Sequence, residues 1–334
     1  MDLQEFLTNQ EISENLIEGI NCVTKAIIKT SRIIETAPLL KNIGKLKRIN
    51  IQGEQQTKLD VDSNDIFIDE LKKTNSVIGA VSEEIDEEII FDKVRSEKQL
   101  LVFFDPLDGS SNVEANVSVG SIFSIYEVPH KDKLNKKDFL QKGKQQIAAG
   151  FSVFGPSVQL VITFGKGTFK FCLDRAKNNF VLIDENIKIP LESEEFAINM
   201  SNERYWGAST KKYIKDCQLG ALGPRGKNFN MRYIASLVAD VNRILTRGGI
   251  YLYPRDNKEP KRLGRLRLMY EINPMAFIVE QCNGLCTDGI EHILNIQPQS
   301  IHERVPVVIG AKNEVKLVSD YYQQHQNSET VFYK

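Results

Sequence analysis

The sequence predicts an α/β (α+β) protein of two packed domains, and three observations predict it. A length of 334 residues exceeds what one hydrophobic core ordinarily serves. Short apolar, strand-like runs crowd the middle of the chain, and helical and strand patterns alternate in the second half. The pattern resets near Pro190, which places the domains at residues 1–190 and 191–334.

Each element follows from local chemistry. Leu16, Ile20, Val23 and Ile27 recur at helical spacing and predict an amphipathic opening helix, with a second over residues 62–73. Residues 76–81, 100–104, 146–154, 157–164 and 168–173 read as strands, the last two joined by a tight Gly165-Lys166-Gly167 hairpin. Beyond Pro190, Ile234, Leu237, Val238, Val241 and Leu245 line a helical face that Gly248-Gly249 ends. Residues 249–253 form a strand. Asn273-Pro274 predicts an N-cap followed by proline at the first helical position, with Gly284 as the stop. A strand over 305–309 and a helix from Asn313 complete the chain, which has no internal repeat.

Composition narrows the function. Forty-three Lys+Arg oppose 44 Asp+Glu, so no bulk field favours nucleic acid or an anionic membrane surface. Asp2, Glu5, Glu11, Glu14 and Glu18 precede the first basic residue, Lys25, the wrong charge for a targeting presequence. The apolar runs, such as 100–104, are far too short to span a bilayer. Five scattered cysteines then read as reduced thiols of a cytoplasmic protein. Cys282 and Cys286 stand at helical i, i+4 spacing, but no histidine or second cysteine pair accompanies them as a metal site would require.

Chemistry concentrates in Asp105-Pro106-Leu107-Asp108-Gly109-Ser110-Ser111-Asn112, directly after an apolar strand. Carboxylates at a strand end bind hard cations, and a Gly-Ser-Ser-Asn run offers N–H groups and hydroxyls to a phosphate. Alone, Asp-x-x-Asp-Gly favours an acidic surface turn. Ser82-Glu83-Glu84 ends another apolar strand, and Glu54 to Asp60 adds further carboxylates. Four or five carboxylates in one cleft repel one another unless cations neutralise them.

In order and spacing, Gly53-Glu54, Lys58-Leu59-Asp60-Val61, Ser63-Asn64-Asp65, Ser82-Glu83-Glu84 and Asp105 to Asn112 resemble the class I fructose-1,6-bisphosphatases, of the bacterial branch. The Asp-Pro-Leu-Asp-Gly core is shared with the wider magnesium-dependent, lithium-sensitive phosphatases; the Ser-Ser-Asn ending is more specific. The likeness continues through Gly223 to Lys227, Asn230 to Tyr233, Gly248 to Pro254 and Leu266 to Met275.

The resemblance implies a layered αβαβα sandwich of the sugar phosphatase type and hydrolysis of the 1-phosphate of fructose 1,6-bisphosphate in gluconeogenesis. Glu83, Glu84, Asp105, the Leu107 carbonyl, Asp108 and Glu271 would hold two or more Mg2+ ions, with Mn2+ as the alternative. Asp108, Gly109, Ser110 and Ser111 would receive the reacting phosphate. Asp60, with Glu84, would take a proton from a metal-activated water, with no covalent intermediate. Asn199, Tyr233, Tyr251, Leu252, Tyr253 and Arg265 would surround the 6-phosphate. Arg232 would reach into a neighbouring subunit of a homo-oligomer, expected to be a tetramer. Read from residues alone, the tyrosines of 251–253 are more often core packing, and Arg265 is usually part of a solvated basic face.

Three positions depart from the better-known members. Arg265 replaces a lysine, so a planar fork stands for a point charge. Asn202 stands where animal members carry a tyrosine. Gln99-Leu100 replaces the Lys-Tyr pair associated with AMP inhibition. Rival readings are a sedoheptulose-1,7-bisphosphatase, a dual bisphosphatase and a catalytically silent sugar-phosphate-binding regulator. The last should have lost carboxylates that this chain keeps.

Overall fold

The computed structural model describes residues 1–39, 45–49, 55–128, 130 and 132–329. Glu54, counted above among the acidic residues, lies outside them, as does Gly53.

Helix α1 (Leu3–Thr8) precedes α2 (Glu14–Thr36), which carries the predicted apolar stripe and is N-capped by Ser13. A ribbon of β1 (Lys45–Ile49) and β2 (Gln55–Thr57) leads into α3 (Lys58–Leu71). That helix begins four residues earlier than predicted. Thr57 and Asp60 form a reciprocal capping box, which fixes the start upstream of the apolar periodicity.

An eight-stranded sheet follows, made of β3 (Val77–Ser82), β4 (Ile89–Ile90), β5 (Leu100–Asp108), β6 (Gly120–Glu127), β7 (Gln146–Phe154), β8 (Val158–Thr163), β9 (Thr168–Asp174) and β10 (Asn179–Asp184). Its order is β10-β9-β8-β7-β6-β5-β3-β4, antiparallel except where β3 and β5 run parallel. The predicted strands are present; β4, β6 and β10 are additional. Strand β5 also runs into the acidic motif, as far as Asp108, instead of ending before it. Its pairing with β6 loses register between Asp105 and Asp108, so Pro106 sits at an irregularity, where a strand tolerates proline.

The second half builds a sheet in the order β12-β11-β13-β17-β15 from β11 (Glu195–Ala197), β12 (Asn230–Met231), β13 (Ile250–Tyr253), β15 (Gly284–Thr287) and β17 (Val307–Ala311), while β14 (Leu266–Arg267) and β16 (Arg304–Val305) form a separate ribbon. Its helices are α4 (Ala208–Gln218), α5 (Leu237–Arg247), α6 (Asn273–Gln281) and α7 (Lys312–Glu329). Gly248 ends α5 at φ 76°, a conformation that glycine alone adopts without penalty. At α6 the cap is Ile272 rather than Asn273, because a π-helical turn (Leu268–Ile272) runs straight into the helix. Gly284 opens β15 instead of stopping α6. Cys282 therefore caps a helix while Cys286 lies on a strand, and the i, i+4 spacing puts them on no common helical face.

Buried clusters give the layering. Helices α2 and α3 pack on one face of the large sheet, and α5 and α6 lie between its other face and the second sheet. Helices α4 and α7 cover the outer face of the second sheet. This is the αβαβα sandwich of two domains.

Candidate active site

The acidic residues converge where β3, β5 and the π-helical turn meet. The Asp105 carboxylate accepts the Leu107 N–H at 2.9 Å, and the Ser121 hydroxyl of β6 donates to the Pro106 carbonyl at 2.8 Å. Asp108 accepts from the Val238 N–H (3.0 Å) and the Ser236 hydroxyl (3.3 Å) at the start of α5, where the helix dipole favours an anion. Glu271 accepts the Arg267 N–H at 2.5 Å. Carboxylate oxygens of Asp105, Asp108 and Glu271, all buried, lie within 4.8 Å of one another. Glu83 joins them through Arg267, whose guanidinium is 2.7 Å from Glu83 and 3.8 Å from Glu271. Glu84 is oriented by Ser82, which accepts its N–H at 3.2 Å, and by the Gln56 amide, which donates to its carboxylate at 2.5 Å.

Crowding in a dry site sets the electrostatics. Burial, then Glu83 and Asp60, push the Glu84 pKa to about 8. Burial, opposed by Arg267, takes Glu271 to about 8. Asp108 rises to about 6 through burial, opposed by the Val238 N–H. Asp105 is raised well above the usual carboxylate range by burial and by its acidic neighbours. Among the described residues Arg267 is the cation paired with this set, and one positive charge does not neutralise it. Hard, oxygen-rich, buried and uncompensated, it fits a divalent cation.

A cleft of about 410 Å³ opens over these groups, and Asp60, Leu107 and the turn Gly109-Ser110-Ser111 line it as well. Gly109 is required there: its φ is 77°, and a Cβ would lie 3.0 Å from the Ser236 hydroxyl oxygen. The turn continues as a 3₁₀ segment to Asn112, whose amide donates to the Ala235 carbonyl at 2.8 Å. Asp60 reaches the cleft from the first turn of α3, with one carboxylate oxygen accepting the Thr57 N–H at 2.6 Å.

The second group of predicted residues lies on the second domain. Tyr251 and Tyr253 share a face of β13, and Tyr233 stacks on Tyr251 with ring centroids 6.4 Å apart. Burial, then Tyr253, raises the Tyr233 hydroxyl's pKa, while a hydrogen bond with Asn199 opposes the rise. Leu252 points to the opposite face, into the core with Trp206 and Ile198. Leu252 nevertheless lines, with Asn199, Asn202, Tyr253 and Asp256, a small adjoining pocket. Arg265 stands beside it, 3.7 Å from Asp256 and 3.3 Å from Glu259. Arg232 is exposed just past the edge strand β12, its guanidinium on the Met231 carbonyl at 3.0 Å. The turn from Tyr233 to Ser236 thus joins the two groups, one end at the tyrosines and the other on Asp108.

The chain matches the family models for the N-terminal domain of fructose-1,6-bisphosphatase over residues 2–185 and for its C-terminal domain over residues 189–323. It belongs to the fructose-1,6-bisphosphatase family. A solved relative is the Leishmania major fructose-1,6-bisphosphatase in holo form, 33% identical, superposing with a TM-score of 0.91 over 97% of this chain and 99% of that one. Sequence reasoning about this family member missed Arg267 and Gln56. Arg267 is the cation inside the carboxylate cluster, and its i, i+4 spacing from Glu271 was the available signal. Gln56 gave none.

Proposed function

We propose that the buried carboxylate set is a divalent-metal site, magnesium first and manganese as the alternative, at which water attacks the 1-phosphate of fructose 1,6-bisphosphate. Family membership carries the overall activity, release of fructose 6-phosphate and phosphate. The observation that carries the mechanism is the meeting of Asp105, Asp108 and Glu271 within 4.8 Å beneath an N–H-rich turn. Bound metal would supply charge stabilisation at the reacting phosphate and the departing sugar oxygen. Glu83, Glu84 and the Leu107 carbonyl are the further oxygen donors.

The chain's own residues do the rest. The turn Asp108 to Ser111 receives the phosphate on backbone N–H groups and hydroxyls. Asp60 takes the proton of the attacking water, and Glu84, held by Gln56, shares that work. Asn199, Tyr233, Tyr251, Tyr253 and Arg265 anchor the far phosphate, with Leu252 holding the strand in the core. In this reading residues 1–190 supply the metal end and residues 191–334 the sugar-phosphate end. Arg232 completes the site of a neighbouring subunit in a homotetramer, and the enzyme serves cytoplasmic gluconeogenesis. Among the described residues no helix is long and apolar enough to cross a membrane.

Phosphate release from fructose 1,6-bisphosphate and sedoheptulose 1,7-bisphosphate, each with magnesium and with a chelator, tests the proposal. Faster release from the fructose ester, abolished by the chelator, is expected. Equal rates in chelator would overturn the metal mechanism.

A further inference from the structure

The turn bearing Glu83 and Glu84 and the π-helical turn bearing Glu271 come from distant parts of the chain; Arg267 pairs with a carboxylate of each, and His302 joins the two turns from outside the cluster. His302 Nε2 lies 3.2 Å from the Asp86 carbonyl, two residues past Glu84. Its Nδ1 lies 2.9 Å from the hydroxyl of Tyr270, the fully buried neighbour of Glu271. A carbonyl only accepts, so Nε2 carries the hydrogen and Nδ1 accepts from the tyrosine. The imidazole is therefore a two-ended clamp with its tautomer fixed by its partners.

The backbone around it is anchored independently. Arg267 pairs with Arg304 and Leu266 with Val305 in the β14–β16 ribbon, and the Leu268 N–H donates to the Glu303 carbonyl at 2.8 Å. Residues 303–305 thus hold the segment leading to Glu271. From its end His302 extends to the Glu84 turn, its ring edge-on to Tyr270 at 5.8 Å between centroids. Without the two hydrogen bonds the strap would remain, but nothing in this ring contact would tie the Glu84 turn to it.

We propose that His302 is a positioning residue for the metal ligands, setting the separation of Glu83 and Glu84 from Glu271. This rests on the divalent-metal reading above. Groups that orient metal ligands at one remove are typically worth about 10- to 100-fold in metal affinity or activity. His302→Phe keeps a ring against Tyr270 and removes both hydrogen bonds, whereas His302→Gln retains one donor and one acceptor.

The test is binding of Mn2+ to the full chain, followed by electron paramagnetic resonance, alongside magnesium activation of fructose 1,6-bisphosphate hydrolysis. For His302→Phe, Mn2+ affinity should fall by about 10- to 100-fold, with half-saturating magnesium rising in parallel. At saturating magnesium the KM for the sugar ester should move far less, and His302→Gln should recover most of the affinity. Wild-type Mn2+ affinity in His302→Phe would overturn the proposal, as would lost activity with metal binding intact. If His302→Phe fails to fold, Tyr270→Phe severs one end of the clamp with the smallest change of shape; unchanged Mn2+ affinity there would equally overturn it. A wild-type chain that binds no Mn2+ would instead sink the metal reading beneath it.

Discussion

In Asp60→Asn the side-chain oxygen that accepts the Thr57 N–H can stay in place, while the charge and the basic lone pair are lost. The structure makes that separation possible because Asp60 has two tasks. One oxygen closes the capping box of α3 at 2.6 Å, and the carboxylate also lines the cleft beside Glu84. Keeping the cap holds the stability cost well under the roughly 1 kcal/mol that a lost cap or neutral hydrogen bond usually costs. Losing a general base should lower kcat by about 10²- to 10⁴-fold, and KM should change little. Asp60→Ala should add the capping loss, about 1 kcal/mol, to the same kinetic defect. Steady-state phosphate release at saturating magnesium, paired with thermal melts, reads both effects. A raised KM with unchanged kcat would place Asp60 in binding, and the assignment of proton transfer would fail.

Without metal, Glu84 and Glu271 titrate near 8, and Asp108 near 6, against ordinary values of 4.5 and 3.8. The folded state then holds more protons than the unfolded chain between about pH 4.5 and 8, so chelated protein should lose stability as pH rises through that window. Magnesium should restore it, most at the alkaline end; a chelated Tm that rises from about pH 5 to 8 refutes the electrostatic account. AMP should inhibit poorly. Gln99 spends its amide on Arg95, Ser96, Asn75 and Val94, Leu100 is buried, and Lys93 is committed to the Leu71, Thr74 and Val77 carbonyls. One missing charge-assisted contact, about 1.5–3 kcal/mol, is tenfold or more in affinity, so half-inhibition at low micromolar AMP would contradict this. Mixing Arg232→Ala with an Asp105→Asn chain should regain activity on reassembly if arginine acts across subunits. A fully active wild-type monomer in sedimentation would refute that.

What the sequence by itself determined was whatever depends on neighbours in the chain. Apolar spacing placed α2 and the face of α5, glycine ended α5, and alternation put Tyr251 and Tyr253 on one side of β13. The acidic motif was legible because its parts lie within eight residues, Asp105 to Asn112. Where its strand ended was not: Pro106 reads as a turn former, and only pairing with β6 shows the ladder slipping around it. Strand β6 itself was hidden, since it is buried on both faces almost throughout and interrupted by Ser121 and Ser124, leaving no alternation to detect. Family likeness named Glu271 as a ligand, but its distance from Asp105 is set by the π-helical turn, and that turn is held by a ribbon from residues 304–305. Arg267 likewise reads as one more surface arginine until the fold encloses it between Glu83 and Glu271. Burial supplies the reason. A carboxylate's partners and its pKa depend on which distant groups share its low-dielectric surroundings, and those are settled only when the sheets and helices pack.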